Sequence, residues 1–533
     1  MKKNIFLLIV SIIITSCGSI DNYNQVVTQL HPVEDLHDDA DAIYKQLKRN
    51  HPHLYQFTTK ETLDFKFDSL KSAIKTPMDS RSFYKQLSQV TKYVGQGHMS
   101  IAPPNIAFNK KERKENYKKR FDINYLEFEY LDNKLFITNA YDKDSLLINA
   151  EVLKIENETP QDLIKEYKRT ITSDGYNTTF HNRVLGNRFL RYYTRDKGRL
   201  DSISLTLKNA DSTFIKKYKR VLGKDISKDT LTTDSITTKP TIKLTKAEKK
   251  AKKKEAKALA KYNSKYGRIP VRHLKDVDIY TRDLNFVGKD STVALMKIRG
   301  FTNGNYKAFY KEVFTTLDSL KTKNLVIDLR NNFGGRLAEI DYLYSYLTDQ
   351  NYALINKSES KTRTPLLKSL LSNSNSVGSR IFASILSPVI APIELLRSSK
   401  KEGKLYYKLS SAKEKEPKPL NFKGKIYVLI NGNSFSASSV LSTQLDGTNR
   451  ATFVGEETGG AYNGTVAGLM KRYTLPNTKI KATIGLLHID SKHKTAIDGY
   501  GVKPDIEILP TYQDRLNNID PELEWVLNDI EKK

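Results

Sequence analysis

Hydrophobic residues change their spacing along the chain and so predict elements of different types. Between residues 30 and 105 they recur at helical intervals, as in Ala40–Leu47. From residue 121 onward they follow the alternation of strands, as in Tyr125–Tyr130, and a helix is expected at Pro160–Arg169. The pattern predicts an N-terminal helical region followed by a small β-rich module with one or two helices.

The second half of the chain alternates strands with helices. The predicted elements are the strand Thr292–Ile298, the helix Tyr306–Leu320, the strand Leu325–Leu329, the helix Leu337–Leu347, the strand Ile426–Ile430 and the helix Ala437–Leu445. Such alternation is typical of an α/β core built from stacked βα units.

An insertion at residues 356–420 interrupts this alternation. Its stretch Ile381–Leu396 is apolar but contains Pro388 and Pro392, so we expect it to be too broken for a transmembrane helix. It is interpreted as a lid over a cleft, as a contact with a membrane surface, or as an ordinary surface insertion.

The N-terminus resembles a bacterial lipoprotein signal. Lys2 and Lys3 precede the apolar run Ile5–Ile14, which is short for a membrane span. Ile14-Thr15-Ser16-Cys17 is similar to a lipobox, the motif that is cleaved before a cysteine that becomes lipidated. Cys17 is the single cysteine of the chain, which excludes an intramolecular disulfide. We predict a protein lipid-anchored through Cys17 in the cell envelope, facing the periplasm or the cell exterior; an ordinary signal peptide is the alternative.

The chain is strongly basic, with a formal net charge of +28. About a third of this excess lies in Lys243–Arg268, which has eleven basic and two acidic residues. This stretch belongs to a polar region, residues 222–268, interpreted as a linker or projecting insertion with a solvated helix at Lys246–Tyr262. Because an exported protein rarely meets nucleic acid, contact with an anionic membrane surface or an acidic polymer explains the charge better, and plain solvation explains it best.

Two segments contain residues suited to nucleophilic chemistry. Asn431–Ser439 places Ser436 at a strand-to-helix turn, where its hydroxyl can point into a cleft and the helix N-terminus favours developing negative charge. In Asp328–Gly335, the glycines Gly334 and Gly335 let backbone N–H groups approach a ligand. Taken alone, helix capping and a tight turn explain these segments better.

Two further segments offer a base and an acid. His98, in Gly95–Ser100, has a side chain whose ordinary pKa suits a general base, although a lone histidine is usually structural or exposed. Asp498 lies in the glycine-rich turn Ala496–Asp505. Four other histidines could suggest metal ligation, but their spacing matches no metal-binding motif, and they are interpreted as surface residues: His51, His53, His488 and His493. No metal or organic cofactor is therefore expected.

Together the four segments resemble the tail-specific, or C-terminal processing, serine peptidases (serine peptidase family forty-one) over roughly residues 30–110 and 275–510. The matching motifs are Asp328–Gly335, Ser434–Ser439, Val454–Gly460 and Asp498–Asp505. The resemblance implies an α/β, ClpP/crotonase-like core of stacked ββα units, an N-terminal helical domain and a degenerate PDZ-like β-rich module.

The resemblance also implies roles for single residues. One family design pairs serine with a lysine, whose position is occupied here by Ala461. The tricorn-like design uses serine, histidine and a downstream carboxylate, which implies Ser436, His98 and Asp498. In the tricorn protease a serine directly precedes the histidine and links it to the acid, but Gly97 stands here. Asp498 would therefore orient His98 directly, through water, or not at all.

Main-chain amides would complete such a site. The resemblance implies an oxyanion hole built from the amide of Ala437 with that of Gly334 or Gly335. No lysine is expected to take part.

The expected organisation follows the motifs and the changes of pattern. It comprises a lipoprotein signal peptide (1–17), a tether (18–30), an N-terminal helical domain with His98 (31–110), a PDZ-like module (121–220), a basic linker (222–268), a peptidase core (275–355 and 421–510) with an insertion (356–420), and a C-terminal helix (511–533).

The expected activity is endopeptidase cleavage of exported or envelope peptides and proteins through an acyl-enzyme on Ser436. The alternative is a non-catalytic envelope lipoprotein that binds peptides with a peptidase-like fold. Hydrolysis of small esters or lipids by the same serine is a third interpretation.

Overall fold

The computed structural model describes residues 19–141, 145–222, 245–271, 278–374 and 377–532. The lipobox and Cys17 lie outside these residues. The described chain contains three six-stranded sheets and one two-stranded sheet together with many helices, so the predicted α/β class is confirmed.

Helices form most of the N-terminal region, as the spacing of its apolar residues predicts. They are α1 (Ile20–Thr28), α2 (Val33–Asn50), α3 (Lys60–Ala73) and α4 (Ser80–Thr91), and the short strand β1 (Ser100–Ala102) follows. Thr59 and Asp79 accept hydrogen bonds from first-turn N–H groups and so fix where α3 and α4 begin. The apolar faces of α2–α4 form one buried cluster that also includes Met99, Leu475 and Ile484. This cluster holds the loop between α4 and β1 against a neighbouring sheet.

An antiparallel sheet follows, with the strand order β2-β7-β6-β5-β4-β3. Its region consists of α5 (Lys110–Lys118), β2 (Lys119–Phe121), β3 (Glu127–Leu131), β4 (Lys134–Asn139), β5 (Glu151–Ile155), α6 (Pro160–Lys168), α7 (Thr179–Asn187), α8 (Phe189–Lys197), β6 (Ser202–Asn209) and β7 (Ser212–Leu222). The β-rich character is confirmed. Three helices, α6–α8, pack on the sheet instead of the predicted one or two.

The basic region forms a helix with no buried residue, α9 (Lys246–Tyr266), before the short strands β8 (Arg268–Pro270) and β9 (Asp278–Tyr280). Thr245 and Glu248 form a capping box at its start, and Gly267 with φ 71° ends it. The predicted solvated helix is thus confirmed, while residues 223–244 of the proposed linker lie outside the described residues.

The remaining chain alternates strands and helices as predicted. In chain order these are β10 (Arg282–Val287), β11 (Val293–Ile298), α10 (Tyr306–Ser319), β12 (Asn324–Asp328), α11 (Leu337–Tyr344), β13 (Ser358–Ser360), α12 (Pro365–Asn373), α13 (Val377–Arg397), β14 (Ser398–Lys401), β15 (Lys404–Tyr407), β16 (Lys425–Ile430), α14 (Ala437–Asp446), β17 (Thr452–Gly455), β18 (Gly464–Thr474), β19 (Lys481–Asp490), β20 (Ile506–Glu507), α15 (Tyr512–Leu516) and α16 (Pro521–Glu531).

The central sheet has the strand order β10-β11-β12-β16-β17-β20. All its pairs are parallel except β10–β11. One face packs against α10, α11 and α14, and the other packs against α16. Because parallel strands end at the same edge, the loops after β12 and β16 lie side by side there, as expected for a ligand site in an open α/β sheet. These loops contain Gly334 and Ser436.

A second mixed sheet has the order β1-β19-β13-β15-β14, with β18 paired to β19. Ile101 of β1 lies opposite Ala482 of β19. This pairing joins the N-terminal helical region to the second half of the chain and brings the loop before β1 close to β18.

The insertion contains an unbroken helix, contrary to the sequence prediction. α13 continues through Pro388 and Pro392. It is long and apolar enough, by length and composition, to cross a membrane over Gly378–Arg397, and only 11% of its most apolar window is buried. Two prolines four residues apart lie on one side of a helix, so the backbone hydrogen bonds that they remove are confined to that side.

Candidate active site

Ser436 is the residue that joins the loop after β16 to α14. Its backbone has φ 60° and ψ −120°, a region that side-chain-bearing residues rarely adopt. Hydrogen bonds on either side hold this conformation: Ser434 Oγ donates to Leu329 O at 2.8 Å, and Phe435 N–H donates to Asn332 O at 3.0 Å. The loop after β12 therefore supports the turn that presents Ser436.

The fold brings His98 to Ser436, as the motifs predict. His98 Nε2 lies 2.9 Å from Ser436 Oγ, although the two residues are 338 positions apart. The imidazole stacks on Phe435 with ring centroids 4.7 Å apart. Phe435 in turn stacks on Phe180 of α7. Two layers of rings therefore fix the plane of the imidazole next to the hydroxyl.

A threonine of β18 links the other imidazole nitrogen to a buried carboxylate. His98 Nδ1 lies 3.2 Å from Thr465 Oγ1, and the Thr465 hydroxyl donates to Asp174 Oδ1 at 3.1 Å. Since the single hydroxyl proton of Thr465 points to Asp174, the Thr465 oxygen must accept a hydrogen bond from Nδ1–H. This fixes the Nδ1–H tautomer and leaves the Nε2 lone pair to accept the proton of Ser436.

Asp174 is fully buried in the loop between α6 and α7. Gly97 N–H donates to its Oδ1 at 2.6 Å and Ala461 N–H donates to its Oδ2 at 3.3 Å. Two backbone hydrogen bonds hold the same loop in position. Gly175 N–H donates to Gly95 O at 2.8 Å, and Tyr176 N–H donates to the carbonyl of residue 499 in the glycine-rich turn, also at 2.8 Å. Three distant parts of the chain thus hold this carboxylate in place.

Burial shifts both titrating groups of this arrangement. It lowers the pKa of His98 to about 4, because the imidazolium loses its hydration. It raises the pKa of Asp174 to about 6, although the N–H and hydroxyl donors around that carboxylate act in the opposite direction. At neutral pH the imidazole is therefore neutral and the carboxylate is ionised.

Asp498 does not contact His98 directly, although the sequence allowed that interpretation. Its carboxylate bonds to other groups. Gln56 Nε2 donates to Asp498 Oδ2 at 2.8 Å, and the N–H of Gly499 donates to Oδ1 at 2.8 Å. Gln96 Nε2 donates to Gln56 Oε1 at 3.0 Å. Among the described residues, Asp498 thus bonds to Gln56, which bonds to Gln96 of the His98 loop. Asp174 is instead the carboxylate that is linked to the imidazole, through Thr465.

The glycine loop that contains two of the predicted oxyanion amides packs against Ser436. A Cβ on Gly334, whose φ is +89°, would lie 2.6 Å from Ala437 N and 2.7 Å from Ser436 Cβ, so only glycine allows the two loops to approach. The N–H of Gly334, however, donates to Asn332 Oδ1 at 2.9 Å. Within the described part of the chain the amides of Gly335 and Ala437 have no such acceptor, which leaves them available to an oxyanion.

Gly97 packs closely between Phe435 and Asp174. A Cβ at Gly97 would lie 2.7 Å from Phe435 Cζ and 3.2 Å from Asp174 Oδ1. A side chain would therefore displace the ring or the carboxylate. The hydroxyl link that Gly97 cannot supply comes from Thr465 on β18.

Among the residues that the structure describes, neither Ala461 nor Lys471 supplies the lysine of the alternative design. Ala461 is buried and uses its N–H to bind Asp174. Lys471, farther along β18, donates to Gln46 Oε1 at 2.6 Å. Neither position brings an amine to the hydroxyl.

The interpretation of the remaining histidines as surface residues is wrong for two of them. His51 and His488 are buried, and His488 stacks on His53 with ring centroids 4.0 Å apart. Burial lowers the pKa of His51 and of His488 to about 3, so both are neutral. In the described ranges no group of three or more His, Cys, Asp or Glu residues is arranged to hold a metal ion.

Sequence reasoning missed Asp174 and Thr465. A signal existed for the first, because Asp174-Gly175-Tyr176 repeats the tripeptide of the turn that begins at Asp498. Thr465 lies in an alternating strand and carries no comparable signal.

Comparisons with known proteins identify relatives in sequence profile and in fold. Residues 292–508 match the sequence profile of peptidase family S41. No curated protein sequence matches the chain significantly. Among solved structures, mature CPAF is similar with a TM-score of 0.58 and 14% identity, over 94% of this chain and 97% of that one. Mature CPAF complexed with lactacystin gives a TM-score of 0.57 and 14% identity over 94% and 98%. The structural likeness shows a shared fold, and the sequence match shows that residues 292–508 form a peptidase family S41 region, so the protein is a serine peptidase.

Proposed function

We propose that the protein is an endopeptidase that cleaves exported or envelope polypeptides through an acyl-enzyme on Ser436, with His98 as general base. The observation that carries the proposal is the 2.9 Å contact between His98 Nε2 and Ser436 Oγ. It is supported by the tautomer that Thr465 imposes, because a general base needs its free lone pair on the nitrogen that faces the nucleophile.

In the first half of the reaction, Ser436 Oγ attacks the peptide carbonyl while its proton moves to His98 Nε2. The developing oxyanion accepts hydrogen bonds from the amides of Ala437 and Gly335. The C–N bond then breaks, and His98 returns the proton to the leaving amine. The new C-terminal fragment of the substrate departs, and its N-terminal fragment remains as an ester on Ser436.

In the second half, His98 takes a proton from water as the water attacks the ester. The tetrahedral intermediate collapses, the proton passes to Ser436 Oγ, and the free acid leaves. In both halves the imidazole is transiently charged. Its Nδ1–H then donates more strongly to Thr465, whose hydroxyl donates to ionised Asp174, so the buried carboxylate stabilises the imidazolium through one intervening hydroxyl.

This arrangement favours an enzyme over a non-catalytic peptide-binding protein. The alternative depended on Ala461, where the dyad lysine would stand, and on Gly97, where a relay serine would stand. Thr465 supplies the hydroxyl relay from another strand, and no lysine is required.

The proposed location is the cell envelope, with a lipid on Cys17. The sequence of the first 17 residues supports it, and so does the exposed apolar surface of α13, which includes Phe382, Ile385 and Val389. Lys400 and Lys401, which are exposed in the strand that follows, would face anionic headgroups. We propose that this surface contacts the bilayer to which the lipid anchors the chain.

Digestion of an envelope protein extract by the purified chain, read by mass spectrometry, tests the activity. New peptide termini should arise with the wild type and be absent with Ser436→Ala. Equal termini with both proteins would remove the proposal.

Vesicle flotation tests the contact made by α13. Cys17→Ser protein should float with vesicles rich in anionic lipid, and Phe382→Gln with Ile385→Gln should reduce flotation severalfold. The matched control is Ile215→Gln, which changes an exposed isoleucine on β7. Equal flotation of all three proteins would contradict the contact.

A further inference from the structure

A cavity of about 260 Å³ lies against His98 on the side of the antiparallel module. Its lining includes Gly97, His98 and Phe435 of the active site together with three arginines, Arg188, Arg191 and Arg195. Its lining contains no Asp or Glu. The cavity is therefore a basic chamber beside the reacting groups, and the mechanism above makes no use of it.

The three arginines share one side of a helix. Arg188 is the N-cap residue of α8, and Arg191 and Arg195 follow it at intervals of three and four. This spacing places their side chains on the same face. Arg188 and Arg195 are half-buried, whereas Arg191 is exposed at the mouth of the cavity.

None of the three guanidinium groups pairs with a carboxylate of the described residues. Asp196, next to Arg195 in sequence, instead binds Lys85 and lies 3.1 Å from Lys197 Nζ. The polar contacts of Arg188 and Arg195 are with aromatic rings, Phe333 at 3.7 Å and Tyr192 at 5.5 Å from the guanidinium carbon. Three cations thus share a small space without a counter-charge.

Two arginines of the described chain that are more deeply buried than those of the cavity, Arg183 and Arg282, are neutralised. Arg183 pairs with Glu129 and Glu456, and Arg282 pairs with Glu339. In the cavity, by contrast, burial lowers the pKa of Arg188, and the neighbouring charge of Arg191 lowers it further. Like charges that repel one another and lose hydration favour the entry of an anion.

We propose that this cavity is a substrate subsite that binds a carboxylate of the polypeptide close to the scissile bond. The carboxylate comes from an Asp or Glu side chain or from a free C-terminus, and a guanidinium cluster binds either through charge-assisted hydrogen bonds. The inference rests on the proposed peptidase function and gives it a substrate class, acidic peptides.

Phe333 connects this subsite to the reacting atoms. Its ring lies under the guanidinium of Arg188, and it directly precedes Gly334 and Gly335 in the loop that faces Ser436. A carboxylate held by Arg188 is therefore fixed relative to the oxyanion amides, so its binding positions the scissile carbonyl as well as adding affinity.

Matched peptides test the proposal. A cleaved peptide from a library digest is remade in three forms: with Glu near the cleavage site and an amidated C-terminus, with Gln at that position and an amidated C-terminus, and with Gln and a free C-terminal carboxylate. The wild type should show a kcat/KM at least about tenfold higher for one or both carboxylate forms than for the neutral form. The carboxylate form with the higher kcat/KM shows whether the subsite binds an acidic side chain or a free C-terminus.

Substitutions of the arginines test whether the preference for carboxylate peptides arises from the cavity. Arg191→Gln combined with Arg195→Gln should reduce the ratio to near one, whereas Arg113→Gln, an exposed arginine on α5, should keep it. Arg191→Glu should shift the preference toward a peptide with Lys in place of Glu. Equal kcat/KM for all three peptides in the wild type, or an unchanged ratio in the double variant, would overturn the inference.

A binding measurement separates this inference from the proposed function. Ser436→Ala should bind the preferred carboxylate peptide at least about tenfold more tightly than the neutral peptide. Adding Arg191→Gln and Arg195→Gln to this variant should remove the difference in affinity. If no peptide is turned over, the peptidase proposal fails, but this binding ratio still decides whether the cavity recognises a carboxylate.

Discussion

Thr465 Oγ1 donates a hydrogen bond to the buried carboxylate of Asp174 at 3.1 Å, and this contact decides which nitrogen of His98 is free. Without the acceptor, the hydroxyl proton could turn toward Nδ1 and allow the opposite tautomer, in which Nε2 carries the proton and cannot accept one from Ser436. The orientation of the proposed base thus depends on two residues that do not touch the substrate.

Removal of the hydroxyl tests this relay. Thr465→Val keeps the shape and loses both hydrogen bonds, so we expect kcat/KM to fall by about 10- to 100-fold. Thr465→Ser should recover most of the loss, which a purely packing role would not explain. Steady-state kinetics on one peptide suffices, and undiminished kcat/KM in Thr465→Val would contradict the relay.

Replacement of each carboxylate distinguishes Asp174 from Asp498. Asp174→Asn should lower kcat/KM on the order of 10²–10⁴-fold, because an amide can donate to Thr465 and favours the wrong tautomer. Asp498→Asn should cost less, since Asp498 bonds to Gln56 and to the next backbone amide. A larger loss for Asp498→Asn than for Asp174→Asn would show that the carboxylates have the opposite roles.

The low pKa of His98 predicts its protonation state at acid pH. A general base works when neutral, and a pKa of about 4 keeps the imidazole neutral several units below neutral pH. Activity on the acid side should instead fall as the Asp174 carboxylate, whose pKa is raised by burial to about 6, becomes protonated. NMR of labelled histidine in Ser436→Ala should show His98 neutral at pH 5.5. The same sample with His98→Ala identifies the resonance, and protonation with an ordinary midpoint near 6.5 would contradict the buried geometry.

Gly97 provides a steric test with a matched control. Gly97→Ala places a Cβ within 2.7 Å of Phe435 Cζ, so the ring or the Asp174 loop must shift and kcat/KM should fall at least about tenfold. Gly378→Ala, at an open position on α13 with no atom within 4 Å of the added Cβ, should leave the activity unchanged. Equal activity of the two variants would show that the contact is unimportant.

The sequence predicted the positions of Ser436 and His98 at the candidate site better than that of the carboxylate. Ser436 and His98 lie in short motifs whose glycines and flanking strands mark them. Asp174 becomes a partner only because Gly175 packs against the backbone of Gly499, where a Cβ would lie 2.3 Å from Cα. Such a contact between loops more than 300 positions apart leaves no local pattern.

Two other expectations failed for physical reasons of the same kind. Local propensity suggested that Pro388 and Pro392 break the apolar stretch, yet their placement on one side of α13 leaves the helix intact. His51 follows the polar residues 48–50 at the end of α2, but the helix ends against the second sheet, and the histidine is buried there. Tertiary packing overrides the local signal in both cases.

Active-site labelling tests the central claim most directly. A fluorophosphonate probe that reacts with activated serines, with the modified residue located by mass spectrometry, should label Ser436 in the wild type and in Lys471→Ala, and should fail to label it in His98→Ala. Unreduced labelling of Ser436 in His98→Ala, or labelling lost only in Lys471→Ala, would contradict the account of Ser436 activated by His98.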